Sequence, residues 1–321
     1  MIMNFSIEAN LITKAFFGST RELISGAFSK TLSFPTIYTM AGTLFTQLIE
    51  QLSLNAEEIQ QMVKNEELKI YGVYIKYNNE YYIPISYQII DKVNGKLELK
   101  LELKEIKDKY GDTLVLPLSK LTKSYEMGEK DALYLINLSS GNHEIIELKI
   151  MEEERTRIGI KHPEKVVEEG FLFTTAHKDF NLQMNFCIDV LVTNKKIKKL
   201  ENWVGHFGGE GTIANFKVNE RTYLADKVKT EYEGYVAVSH IPIILKDNKI
   251  ISNFGEIEYI VGNIESIGGW AIKNNEQKMK RIFASIKPGS FFRVKDKENK
   301  LKSDIWYLNL LKSALPINFL K

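Results

Sequence analysis

The stretch LELKLELKEI, residues 97–106, sets Leu97, Leu99, Leu101 and Leu103 on one side and Glu98, Lys100, Glu102 and Lys104 on the other. That alternation predicts a strand with one wet face, and so an antiparallel sheet. A different period governs residues 36–52, where Ile37, Met40, Ala41, Leu44, Phe45, Leu48, Ile49 and Leu52 recur three and four apart. This is the buried face of a helix, and Pro35 stands where a helix can begin. Residues 3–13 suit a first strand, and residues 16–35, rich in glycine and hydroxyls, a loop. Residues 68–90 read as strands around the turn Asn78-Asn79. EEERTRIGI (152–160) resumes strand character, HPEKVVEEG (162–170) reads as a loop or one helical turn, and residues 171–192 supply two more strands. NKKIKKLENWV (194–204) predicts a helix with Ile197, Leu200, Trp203 and Val204 on one face. The turn HFGGEGT (206–212) and another strand follow.

This order predicts an α+β fold: a ferredoxin-like or RRM-like sheet with extra strands between its halves, over residues 1–220, with an insertion around 60–150. Beyond residue 220, YVAVSHIPIIL, GGWAI and KRIFASIKPGSFFRV alternate again and predict a second, smaller unit over 221–321. With 321 residues, 44% hydrophobic and 26% charged, the chain has the makings of a core, which argues against wholesale disorder. No apolar run is long enough to cross a bilayer. The N-terminus lacks a basic start followed by an apolar block, so a cytoplasmic protein is expected. The single cysteine, Cys187, excludes an intramolecular disulfide and a multi-thiolate zinc site. Its apolar neighbours Phe186 and Ile188 predict a core thiol. The net charge of +2 does not announce a polyanion partner, but residues 1–220 carry −4 and residues 221–321 carry +6. Residues 107–132 are charged and turn-rich, as an insertion would be.

The glycine turn raises the sharpest question. Gly208, Gly209 and Gly211 surround Glu210, and Thr212 follows. A phosphate-binding P-loop needs Lys and Ser or Thr straight after the last glycine, and a dinucleotide-binding turn runs from strand to helix. Neither context is met, since here a predicted helix precedes and a strand follows. Two readings stay open: a sharp helix-to-strand corner, or bare main chain that lets a ligand come close. No HExxH spacing exists, and His206 and Glu210 span the glycines, so no metal is expected. No GxSxG elbow is present, and Glu152–Glu154 read as a solvated charged run. His162, near Lys161 and Arg157, fits either acid–base cleavage of RNA or an ordinary loop. Thr36 and Thr39 lie at a helix N-terminus, where free N–H groups favour anions. Arg155 and Arg157, two apart, share a face on a strand; they either grip an anion or satisfy Glu152–Glu154.

Five segments taken in order resemble the RAMP superfamily of CRISPR effector subunits: SFPTIYTMAGTLFTQL (33–48), ERTRIGIKHPEKVVEEGFLFT (154–174), GHFGGEGTIANFKV (205–218), GGWAI (268–272) and IKPGSFFRV (286–294). Within it, the chain most resembles the type III-B Cmr-complex member that caps the 5′ handle of the crRNA. The resemblance implies two ferredoxin-like (RRM-like) units with inserted strands and loops, and no RNA cleavage and no cofactor. It implies as partners the crRNA handle, the large polymerase-like subunit and the backbone RAMP subunit, with no membrane. Gly208, Gly209, Glu210 and Gly211 match the family's glycine loop, and Arg155–Gly170 its hairpin or thumb. Ser33–Thr39 match the start of the first helix, and Gly268-Gly269-Trp270 a motif of the second unit, where Trp270 either seals a core or stacks on a base. The RNA-binding candidates are then Arg21, Lys30, Ser33, Thr36, Thr39, Arg155, Arg157, His162, Lys165, His206, Gly208, Gly209, Glu210, Gly211 and Thr212. The departures are a single proline before the helix and Thr212-Ile213-Ala214 where basic residues are common. Two other readings stand beside this one: a RAMP endoribonuclease using His162 or His206, and a subunit that serves assembly alone.

Overall fold

A computed structural model of the chain describes residues 3–18, 28–29, 31–32, 34–86, 89–93, 96–99, 132–139, 143–161, 166–180, 183–193, 197, 200–209, 211–228, 234–247, 249–267, 270–273, 276–279, 283–301, 310–311 and 313–316. In chain order these form β1 (Met3–Leu11), β2 (Phe28–Ser29), α1 (Ile37–Leu52), α2 (Ala56–Lys64), β3 (Leu68–Tyr77), β4 (Glu80–Pro84), β5 (Ile90–Val93), β6 (Lys96–Leu99), β7 (Ala132–Asn137) and β8 (Ile145–Lys149). Then come β9 (Met151–Lys161), β10 (Val166–Asp179), β11 (Met184–Val192), β12 (Trp203–His206) and β13 (Ile213–Asn219). The last third holds β14 (Gly234–Ala237), β15 (Ile241–Lys246), β16 (Lys249–Ser252), β17 (Gly255–Val261), β18 (Ile264–Ile267), β19 (Trp270–Lys273), β20 (Glu276–Met279), β21 (Phe283–Ile286), β22 (Phe291–Asp296) and β23 (Ala314–Pro316).

Two antiparallel eight-stranded sheets dominate, in the orders β12-β13-β1-β11-β3-β4-β7-β8 and β18-β21-β15-β16-β17-β22-β14-β23. In the first, the four strands β13-β1-β11-β3 bury Phe5, Ile7, Ala9, Ile70, Ile75, Phe186, Ile188, Val190, Ala214 and Phe216 on one face, against α1 and α2. Helix α1 forms where the three-and-four spacing places it, and buries Ile37, Met40, Ala41, Leu44 and Leu48. Each of these side chains except Ala41 contributes about 1.5–3 kcal/mol by leaving water. Ile49, expected on that face, is exposed. Helix α2 went unread in the sequence; Asn55 accepts from the Glu58 N–H at 2.8 Å and Glu58 accepts from the Asn55 N–H at 2.8 Å, a reciprocal cap. The second sheet has no helix of its own among the described residues.

Three sequence expectations are corrected. Trp203 and Val204 are not helical: they lie in β12, where Trp203 pairs with Phe216 across β13 and their rings stack at 4.7 Å. The glycine turn therefore joins two strands, not a helix and a strand. Residues 166–170 are strand, not loop or helical turn. The alternating Leu/Glu/Lys stretch is strand at Lys96–Leu99; its remainder and residues 107–131 lie outside the described residues.

The second sheet packs on the other face of the first, where Tyr74 and Cys187 meet Val236, Val238, Phe291 and Leu315. Cys187 is a buried core thiol, as read from its neighbours, and burial pushes its thiol pKa up. The turn at Gly289 sits so close to Ile85 that a Cβ there would meet its backbone at 2.9 Å, and the Ser86 N–H donates to the Gly289 carbonyl at 2.9 Å. Asp189, on β11, is fully buried and ties the chain that leaves β13: its carboxylate accepts from the Tyr74 hydroxyl at 2.6 Å, from the Tyr223 and Ala225 N–H groups at 2.8 Å each, and from the Leu224 N–H. Nearby, Tyr81 and Tyr223 stack at 3.9 Å and the Lys227 ammonium lies 3.6 Å from the Tyr223 ring centroid.

Burial lowers the Lys227 pKa to about 8, partly opposed by the Asp189 charge. A lysine so lowered is half deprotonated near that pH, while an ordinary one is not. Brief acetylation of the folded protein at pH 8, read by peptide mass mapping, is expected to label Lys227 ahead of exposed lysines such as Lys217. Equal labelling would contradict the shift.

Candidate nucleic-acid interface

The glycine turn is built on Phe16 and Phe17, which lie in the stretch 16–35 expected to be a loop. The Gly209 N–H donates to the Phe16 carbonyl at 3.0 Å. At Gly208, with φ +103°, a Cβ would lie 2.6 Å from that same oxygen. At Gly209 it would lie 3.1 Å from the Phe16 ring. These two glycines are bare because another stretch of backbone presses on them. Gly211 differs: φ is +76° and nothing lies within 4 Å of where its Cβ would be. Both Gly208 and Gly211 are exposed to solvent. The corner and the open approach therefore coexist within one turn.

Thr212, expected to contact RNA, is fully buried. Its hydroxyl donates to the Gly209 carbonyl at 2.8 Å and accepts from the Phe16 N–H at 2.9 Å. It closes the turn and fastens it to residue 16, so its hydrogen bonds serve the protein and not a ligand. The Phe207 N–H donates to the Thr212 carbonyl at 3.0 Å, while the Phe207 ring meets Phe17 edge-on at 5.2 Å. The turn is thus held rigidly from beneath, with Gly211 at its open side.

Helix α1 stands beside it. Thr36 is the N-cap, and its hydroxyl accepts from the Thr39 N–H at 3.3 Å and contacts the Thr39 hydroxyl at 3.2 Å. One turn on, the Thr43 hydroxyl reaches both the Thr39 carbonyl, at 3.2 Å, and the His206 carbonyl, at 3.1 Å. That contact brings the start of α1 and the start of the glycine turn together. The His206 side chain is exposed. Of the predicted residues, the structure therefore gathers Thr36, Thr39, His206, Gly208, Gly209 and Gly211.

The hairpin of β9 and β10 joins the same corner from the other side. Ala15 and Lys178 exchange backbone hydrogen bonds at 2.8 Å each, one residue from Phe16, and the Phe16 ring packs 5.5 Å from the buried His177. Arg155, read as a gripping residue, has its guanidinium on Glu153 at 2.8 Å, and Glu153 also pairs with Lys14. In this structure Arg155 thus engages the middle glutamate of the acidic run. Hydrogen bonds from Lys14 and Arg155 hold the Glu153 carboxyl down at about 2. Lys14→Ala is expected to raise the Glu153 titration midpoint toward the ordinary carboxylate range, read by NMR; an unmoved midpoint would contradict the pairing. The backbone of Arg157 lies in β9 opposite Phe173, but its side chain lies outside the described set, as does that of Trp270. Arg21, Lys30, Ser33, His162, Lys165, Glu210, Gly268 and Gly269 lie outside the described residues.

Sequence reasoning also missed a polar row on the face of the first sheet turned away from α1. Register places Asn215, Asn10, Asn185 and Lys76 side by side on β13, β1, β11 and β3. The Asn10 amide donates to Asn185 at 2.8 Å, and the Lys76 ammonium donates to both Glu8 oxygens at 2.9 and 3.1 Å. Strand alternation alone marks these positions as outward, but their adjacency depends on pairings between distant segments. Among the described residues, no group of three or more His, Cys, Asp or Glu side chains is placed to hold a metal ion, and no helix is long and apolar enough to cross a membrane.

A search of curated protein sequences returns no match. Solved structures do resemble this one. The chain is similar to a chain of the type III-B Cmr-beta bound to cognate target RNA and AMPPnP, at 22% identity and a TM-score of 0.56, covering 94% of this chain and 91% of that one. It is also similar to a chain of the type III-B Cmr-beta bound to cognate target RNA, at 20% identity and a TM-score of 0.55, covering 95% and 94%. At such identities the likeness establishes a shared fold. The family of CRISPR-associated proteins described as Cas_Cmr3 matches residues 14–312, nearly the whole chain. The chain therefore belongs to the CRISPR-associated Cmr3 family.

Proposed function

We propose that this chain is a non-catalytic subunit of a type III-B CRISPR effector complex, that it holds the 5′ repeat-derived handle of the crRNA, and that it contacts the large polymerase-like subunit and the backbone RAMP subunit beside it. Its two sheets would be two RAMP units. In the first, the central strands in chain order β1, β3, β11, β13 stand in the spatial order fourth, first, third, second, as in a ferredoxin-like sheet. Membership in the Cmr3 family and the likeness to chains of RNA-bound Cmr-beta support the complex.

The observation that carries the handle reading is Gly211: exposed, left-handed, with open space where a side chain would stand, on a turn clamped to Phe16. Bare main chain in that conformation offers N–H groups to a phosphate with no side chain in the way. The α1 N-terminus, capped by Thr36, lies on the same corner, and a helix N-terminus favours anions without adding net charge. A handle held there has its bases splayed and its backbone gripped.

The test uses two nearly isosteric changes. Asn and Asp both tolerate the left-handed region, so Gly211→Asn and Gly211→Asp perturb the fold alike. Only Asp adds a negative charge, worth about 1–4 kcal/mol against a phosphate nearby. Gly211→Asp is expected to lower retention of handle-bearing crRNA in the assembled complex at least fivefold, by filter binding, while Gly211→Asn retains it. Equal retention by both would remove the turn from the RNA site.

A further inference from the structure

We propose that the outer edge of β9 accepts an extended, basic segment of a partner protein as an added strand. The three-stranded sheet runs β2-β10-β9, so β9 is its edge, and among the described residues β9 pairs with β10 alone. Eleven residues long, it presents a row of backbone donors and acceptors that edge strands usually hide. Met151, at its start, is 71% exposed, which is high for a large apolar side chain. Glu152, Glu154 and Thr156 are exposed along one face, while Glu153 on the other is already taken by Lys14 and Arg155.

The charges decide what can dock. RNA is disfavoured at this end of the hairpin, because Glu152 and Glu154 repel phosphate. A second copy of this chain is disfavoured too, since an antiparallel self-pair would set glutamate against glutamate. A partner strand with Lys or Arg at alternate positions fits: side chains on one face recur every second residue, so two cations meet Glu152 and Glu154 while main-chain hydrogen bonds extend the sheet. An apolar residue at the end of that segment would cover Met151. The inference stands apart from handle binding, because it concerns the base of the hairpin and a protein partner.

The test uses the full chain and a synthetic eight-residue peptide alternating Lys and Val, with a Glu/Val peptide as control. Hydrogen exchange followed by NMR reads the amides of residues 151–156, and fluorescence anisotropy reads affinity. The Lys/Val peptide is expected to slow β9 exchange at least tenfold, and the Glu/Val peptide to leave it unchanged. The double variant Glu152→Lys/Glu154→Lys, at two exposed positions, should weaken Lys/Val binding at least tenfold and abolish protection while keeping the melting temperature. Binding without protection at 151–156, undiminished binding to the double variant, or protection of those amides by handle RNA would each overturn the proposal.

Discussion

Gly208→Ala is expected to destabilise the protein by about 2–5 kcal/mol, from left-handed strain and crowding together. The new methyl group would sit 2.6 Å from the Phe16 carbonyl oxygen and 3.1 Å from the Phe17 ring, at a φ of +103°. Backbone cannot yield as a side-chain tip can. Relief requires lifting the turn off residue 16, which breaks the Gly209-to-Phe16 hydrogen bond and unseats the Thr212 hydroxyl. Gly211→Ala meets only the left-handed penalty, about 1–2 kcal/mol, because no atom waits within 4 Å. Urea denaturation of the two variants side by side measures the difference. Equal losses would mean that Phe16 does not press on the turn.

Removal of the Asp189 carboxylate is the other change with a large expected cost. Asp189→Ala leaves the Tyr74 hydroxyl and three backbone N–H groups without their acceptor in a buried place. Orphaned donors of this kind make the loss about 3–5 kcal/mol. The damage should be local first: hydrogen exchange at Tyr223–Ala225 is expected to rise by orders of magnitude, since Asp189 is what ties that segment to β11. A loss below about 1 kcal/mol, with exchange at 223–225 unchanged, would show that another contact holds the segment. Residues 223–225 lead from β13 toward β14, so Asp189 fastens the start of the connection between the two sheets.

What the sequence made legible was local. The period of Ile37–Leu48 is enough to place α1, and Asn78-Asn79 enough to place the turn between β3 and β4. Both depend on neighbours within a few residues. Ile197, Leu200, Trp203 and Val204 also fit a helical spacing, yet Trp203 is claimed by Phe216, whose strand pairs with β12. Cross-strand stacking outweighs a short amphipathic pattern. Helix α2 could have been read from Asn55 and Glu58, the spacing of a reciprocal cap.

At the candidate site the limit has the same cause. The three glycines were visible as a bare turn, but not why they are bare. The reason at Gly208 and Gly209 is Phe16, nearly two hundred residues away, and the reason Thr212 is no ligand contact is the Phe16 N–H. For Arg155 both readings were legible, since its partner Glu153 is two residues away; what was hidden is that Glu153 also pairs with Lys14, distant in sequence. The five-segment resemblance to RAMP subunits drew on order along the whole chain, and the family match over residues 14–312 bears out the membership it implied.

The most direct test of handle binding is photocrosslinking in the assembled complex, with a photoactivatable nucleotide at each position of the crRNA handle in turn. Crosslinks to the peptide spanning His206–Gly211, and to Thr36–Thr39 beside it, are the predicted result. Handle nucleotides that crosslink only to other subunits, leaving these residues unmodified, would contradict the account.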